Sequence, residues 1–99
     1  MSARLSRLLV AYDIVDDRRR ARLARLLSAF GDRIQYSVFL IDLTSAKEVR
    51  LRARVVSEID ARVDSVLFCR LGPTASNGTQ NITYLGCRRE VTDGSDFVL

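Results

Sequence analysis

Ile34-Gln35-Tyr36-Ser37-Val38-Phe39-Leu40-Ile41-Asp42-Leu43 is the stretch on which the topology turns. Ile34, Tyr36, Val38, Phe39 and Ile41 are β-branched or aromatic, which makes the stretch β-strand. It reads either as one long strand or as two short ones joined at a bulge near Leu40. It contains no Gly, Pro or Asn, so a tight turn inside it is not indicated. Whether it is one strand or two decides the order of the whole chain.

Upstream, residues 5–14 form a first strand around the apolar run Leu8-Leu9-Val10-Ala11-Tyr12. Five consecutive apolar residues predict a strand buried on both faces. Asp16 and Asp17 follow, either of which can cap a helix. Residues 17–30 carry Ala21, Leu23, Ala24, Leu26, Leu27 and Phe30 at helical spacing, and Gly31 reads as the C-terminal cap.

Downstream, Ser45-Ala46-Lys47-Glu48 fits a capping box, with Ser45 as the cap. A helix follows to about residue 61, its apolar stripe being Ala46, Val49, Ala53, Val56 and Ile59. Asp64 leads into the strand Ser65-Val66-Leu67-Phe68-Cys69-Arg70-Leu71, which Gly72 and Pro73 break. Residues 74–79 read as a polar linker, 81–87 as a short last strand, and 88–99 as a loose polar tail ending in Phe97-Val98-Leu99. With the middle stretch split in two, the order is the βαββαβ of a ferredoxin-like α+β fold plus an additional C-terminal strand. One sheet face would carry both helices; the other is free to pair with a second copy. Residues 1–86 form the domain and 87–99 a tail.

The chain has 99 residues, room for one domain, and its 47% hydrophobic and 28% charged content is ordinary for a globular protein. The net charge is +4, and fifteen of the sixteen basic residues are Arg, Lys47 being the exception. Arg forms planar bidentate contacts with phosphate, so the balance points towards nucleic acid; a high-GC coding bias would also raise Arg over Lys. No run approaches the length of a membrane span or a signal peptide, and the expectation is a soluble, cytoplasmic protein without a membrane partner. Cys69 and Cys87, with no His in the chain, cannot build a zinc site. Cys69, inside an apolar run, reads as a small hydrophobe.

Asp13 stands at the end of the first strand, just ahead of Arg18, Arg19, Arg20 and Arg22. An acid beside a cationic cluster suits a metal ion and a phosphodiester. The structural alternative is an Asp that initiates a turn, and for the arginines it is a solvated helix face. Magnesium needs several oxygen ligands, and one carboxylate is a poor site. The second could come from Asp13 of another subunit across a two-fold axis. Tyr12 and Phe39 could stack on bases or pack in the core. Ser37, with no His to activate it, is weak as a nucleophile.

Val10-Ala11-Tyr12-Asp13-Ile14 followed by Asp16-Asp17 and a basic helix resembles the start of the small CRISPR-associated endoribonuclease family, the compact partner of the spacer integrase. Gly31-Asp32-Arg33-Ile34-Gln35-Tyr36-Ser37-Val38-Phe39 is a more specific match. Asp64-Ser65-Val66, opening a strand that ends Leu71-Gly72-Pro73, is a third. The family often has Glu after Ser-Val-Phe, where this chain has Leu40. The resemblance implies a homodimer with facing sheets, in which the last strand crosses to the partner's sheet. It places the metal-binding acid on Asp13, and other positions tied to nuclease activity on Tyr12, Arg20, Arg22, Arg33 and Phe39. The implied cofactor is Mg²⁺, with Mn²⁺ as the alternative. The implied substrates are RNA or double-stranded DNA, and the implied partner is the CRISPR integrase. The family also contains members that act as a non-catalytic DNA-binding scaffold joining integrase dimers. A toxin-like ribonuclease or a regulator dimer is the outside reading that the fold alone would permit.

Overall fold

The computed structural model describes residues 4–74 and 82–87. Four strands and two helices follow in the order β1 (Ser6–Asp13), α1 (Asp17–Ser28), β2 (Asp32–Gln35), β3 (Val38–Leu43), α2 (Ser45–Glu58) and β4 (Ser65–Pro73). The middle stretch is thus two strands. Its turn lies at Tyr36-Ser37, and the irregularity falls between Arg33 and Gln35 on β2, not near Leu40. Among the described residues no non-glycine residue has positive φ, so the turn needs none of the residues whose absence argued against it. The Arg33 guanidinium holds it instead, donating to the Tyr36 carbonyl from Nε at 2.9 Å and Nη2 at 2.5 Å.

The strands form one antiparallel sheet in the order β2-β3-β1-β4, the ferredoxin-like arrangement. Side chains alternate across it. Leu8, Val10 and Tyr12 of β1 with Phe39, Ile41 and Leu43 of β3 face the helices. There they close a core with Leu23, Leu26 and Leu27 of α1 and Leu51 and Val55 of α2. The other face carries Leu9, Ala11, Val38, Leu40, Leu67 and Cys69 in register, uncovered by any described element. β1 is therefore buried on its helix side and only half-buried on the other, not buried on both.

Asp16 caps α1, its carboxylate accepting from the Arg19 amide at 2.9 Å. Gly31 does not end the helix; Ala29 does, in an ordinary right-handed conformation. Gly31 is required for space: a Cβ there would press on the Leu40 carbonyl and lie 2.6 Å from Ile41 Cγ1.

The α2 expectations shift more. Thr44, not Ser45, is the cap, its hydroxyl accepting from the Lys47 amide at 3.3 Å. Glu48 is therefore free of a capping role. It lies buried between α2 and β4, accepting from Arg52 Nε at 2.9 Å and Arg70 Nη2 at 3.2 Å. The buried stripe is Glu48, Leu51 and Val55, with Ile59 packed beside it. Val49 and Val56 are 68% and 67% exposed, and Ala46 and Ala53 lie exposed with them. Neutralisation by two arginines lets Glu48 sit inward, which turns the larger Leu51 into the core.

β4 runs through Gly72 and Pro73 instead of stopping at Leu71. The register slips between Arg7 and Leu8, and Gly72 takes φ 105° beside that slip. Pro73 is tolerated because β4 is an edge strand. Residues 82–87 form no strand, so the sheet of the described chain has four strands, and the additional C-terminal strand is not part of it. A last strand that completes a partner's sheet has no neighbour to pair with in a single chain. Asn81, the linker beyond Thr74 and the tail after residue 87 lie outside the described residues. Cys69 is exposed on the open sheet face and not in the core, and Cys87 is also a free, exposed thiol.

Candidate active site

The alternation that buries Tyr12 turns Asp13 to the opposite, open face of the sheet, directly across from Ser65 of β4. Asp13 is exposed, and its carboxylate has no hydrogen-bond or ion-pair partner among the described residues. Its turn-initiating alternative therefore finds no support: the carboxylate that caps the following helix belongs to Asp16.

The backbone just beyond Asp13 is held at two points. The Ile14 carbonyl accepts from Arg20 Nη1 at 2.9 Å. The Val15 amide donates to Asp64 Oδ1 at 3.0 Å. The Asp64 side chain is fully buried and also accepts from the Asp60 amide at 2.8 Å and from Arg19 Nε at 2.7 Å. The Arg19 guanidinium, helped by the Asp60 and Val15 amides, holds the Asp64 carboxyl well below the usual carboxylate range, against the opposing effect of burial.

The expected arginines are engaged in the scaffold. Arg20 pairs with Asp17 as well as binding the Ile14 carbonyl. Arg22 reaches across to Glu58 of α2 at 3.1 Å, in a half-exposed pair. Arg33 stacks over the rings of Tyr36 and Phe39, at 5.0 and 5.7 Å from their centroids. Tyr12 and Phe39 do not present themselves to bases. They are 7% and 0% exposed and stack on each other at 6.3 Å, with the Tyr12 hydroxyl donating to the Tyr36 carbonyl at 3.4 Å. Burial pushes the Tyr12 phenol above its usual pKa, partly offset by Arg33. The structure thus joins Tyr12, Arg33 and Phe39 in one group, ties Arg20 to the backbone next to Asp13, and directs Arg22 towards α2.

Sequence reasoning gave Asp64 and Arg19 no joint role, Arg19 being read as one of the cationic cluster ahead of which Asp13 stands. Asp64 read as a strand boundary, although a single acid set between Val63 and Val66 was the available signal.

A divalent cation has a partial fit here. The free, outward Asp13 carboxylate is a hard oxygen donor suited to Mg²⁺. Among the described residues no three acidic or Cys side chains converge on a metal, so Asp13 by itself is an incomplete donor set.

Fold and site together define a ferredoxin-like domain that presents an unpaired acid, Asp13, at a strand end on the open sheet face, with a basic helix on the opposite face. The family model described as CRISPR associated protein Cas2 matches residues 6–77, and the chain belongs to that family. A Thermus thermophilus protein named CRISPR-associated endoribonuclease Cas2 is 41% identical over 91 residues, covering 92% of this chain and 95% of the relative. A Mycobacterium tuberculosis protein of the same name is 50% identical over 90 residues, covering 91% of this chain and 74% of the relative. The crystal structure of Streptococcus pyogenes Cas2 superimposes with a TM-score of 0.71 at 34% identity, covering 81% of this chain and 99% of that one.

Proposed function

We propose that the chain is a metal-dependent phosphodiesterase of CRISPR adaptation, an endoribonuclease or double-stranded DNA nuclease that works as a homodimer. The observation that carries this reading is the place of Asp13: exposed, unpartnered among the described residues, and on the same open face as Leu9, Ala11, Val38, Leu40, Leu67 and Cys69. An apolar sheet face of this kind is a self-complementary surface for a second copy. Face-to-face pairing would bring one Asp13 from each chain towards a common axis.

Bound Mg²⁺ would supply Lewis acidity and an activated water. Asp13 would hold it, Arg20 would keep the Asp13 strand end in place, and Arg22 and Arg33, on the helix side of the sheet, would meet phosphates of a strand that wraps round from the open face. The Arg22–Glu58 pair is exposed enough to exchange for a phosphate, since such pairs contribute little. Tyr12 and Phe39 would support Arg33 from the core. Spacer acquisition with the integrase is the process this activity would serve, and the relatives' endoribonuclease names are consistent with it.

A second reading, a non-catalytic scaffold that grips duplex DNA between integrase dimers, draws on a different surface. Arg18 and Arg25 of α1 and Lys47, Arg50 and Arg54 of α2 are exposed and have no acidic partner among the described residues. They belong to the helix layer, on the side away from Asp13. One experiment separates the two. Asp13→Ala is expected to abolish Mg²⁺-dependent cleavage of RNA and duplex DNA while leaving the dimer intact by light scattering. Cleavage that survives rejects the enzyme reading. A wild-type chain that cleaves neither substrate, yet binds duplex with a steep salt dependence unchanged in Asp13→Ala, establishes the scaffold.

A further inference from the structure

Asp13 is the last residue of β1, and no hydrogen bond or ion pair among the described residues reaches its carboxylate. Its direction is therefore set by the backbone on either side. On the strand side it is fixed by pairing with Ser65. On the loop side the nearest side-chain anchor on a backbone amide is the bond from Val15 N–H to Asp64 Oδ1 at 3.0 Å. Asp64 immediately precedes Ser65, but its side chain lies buried while Asp13 is exposed.

Four donors fill the Asp64 carboxylate. Oδ1 accepts from the Val15 amide and from Arg19 Nη2 at 3.3 Å; Oδ2 accepts from Arg19 Nε at 2.7 Å and the Asp60 amide at 2.8 Å. These donors come from the β1–α1 loop, from α1 and from the α2–β4 connection. One rigid group thus ties three segments together directly behind the proposed metal ligand. A helix-capping or strand-initiating Asp needs one or two such bonds and is commonly exposed; a fully buried carboxylate with every lone-pair direction used is a fixed reference point.

We propose that Asp64 is a positioning residue. By holding Val15, and by fixing Arg19 through its bidentate contact, it sets the direction in which Asp13 offers its oxygens. This rests on the reading of Asp13 as a metal ligand. Partners one step removed from a ligand change metal affinity by roughly 10–100-fold when lost.

The test measures Mn²⁺ affinity of the full chain by electron paramagnetic resonance, without substrate, together with amide exchange at Val15. Asp64→Asn keeps the shape but turns an acceptor into a donor facing N–H groups. It is expected to weaken Mn²⁺ binding about tenfold and to speed Val15 exchange. Leu51→Ala, in the α2 core, should lower the melting temperature without moving Mn²⁺ affinity, which separates positioning from general destabilisation. Should Asp64→Asn fail to fold, Arg19→Lys reads the same quantity, because it keeps the opposing charge and loses the two-pronged contact. Wild-type Mn²⁺ affinity in a folded Asp64 or Arg19 variant with a released Val15 amide overturns the inference and leaves the Asp13 reading standing. An equal loss of affinity in Leu51→Ala also overturns it. Mn²⁺ binding that survives Asp13→Ala removes the Asp13 reading and this inference with it.

Discussion

At the residue scale, several charged side chains do work that their sequence neighbourhood conceals. Glu48 looks like half of a capping box and is instead a buried acceptor for Arg52 and Arg70. Burial pushes its carboxyl up, but the two guanidinium bonds outweigh that and leave it below its ordinary value. Gly31 looks like a helix stop and is instead a gap for the β3 backbone. Gly31→Ala should cost about 1–3 kcal/mol, because the nearest atoms include the Leu40 carbonyl and Ile41 Cα, which belong to backbone and cannot rotate away. Urea unfolding measures it; a loss within experimental error would mean that β3 gives way.

At the element scale, α2 offered two stripes that its sequence could not rank. Ala46, Val49, Ala53 and Val56 recur at helical spacing, and so do Glu48, Leu51 and Val55. Counting apolar residues favours the first set. The structure buries the second, because a charge with two partners is less costly to bury than it looks and Leu51 fills more volume than any residue of the rival set. Leu51→Ala should therefore cost about 2–5 kcal/mol, while Val49→Ala should stay within about 0.5 kcal/mol. Equal losses in thermal unfolding would contradict this packing. By contrast, α1 was legible from its helical periodicity, and β1 and the start of β4 from their apolar runs. The β2–β3 turn was not: its lock is the Arg33 side chain, and no propensity table carries that information. Asp13 was legible as a candidate because an acid closing an apolar strand is conspicuous. Asp64 was not, since the burial of its side chain is decided by segments distant in sequence.

At the scale of the whole molecule, acids and arginines are matched across elements: Asp42 with Arg7, Asp64 with Arg19, Glu58 with Arg22. Arg7 and Arg19 hold Asp42 and Asp64 below their ordinary values. A carboxyl with a lower pKa in the folded than in the unfolded chain stabilises the fold above the unfolded value of about 3.9. That contribution disappears as pH falls through the lower, folded value. The melting temperature should thus be nearly level from about pH 5 to 8 and drop below about pH 4. A maximum on the acid side of that range would contradict the pairing.

The Arg33 contact bears on how a polyanion could lie across the molecule. A guanidinium has five N–H donors on two edges. Here the Nε–Nη2 edge is taken by the Tyr36 carbonyl, and aromatic rings stand near its flat sides. That carbonyl leaves the Nη1–Nη2 edge unused, so a phosphate meeting Arg33 would do so end-on, and the hairpin tip would constrain the heading of any strand that takes it.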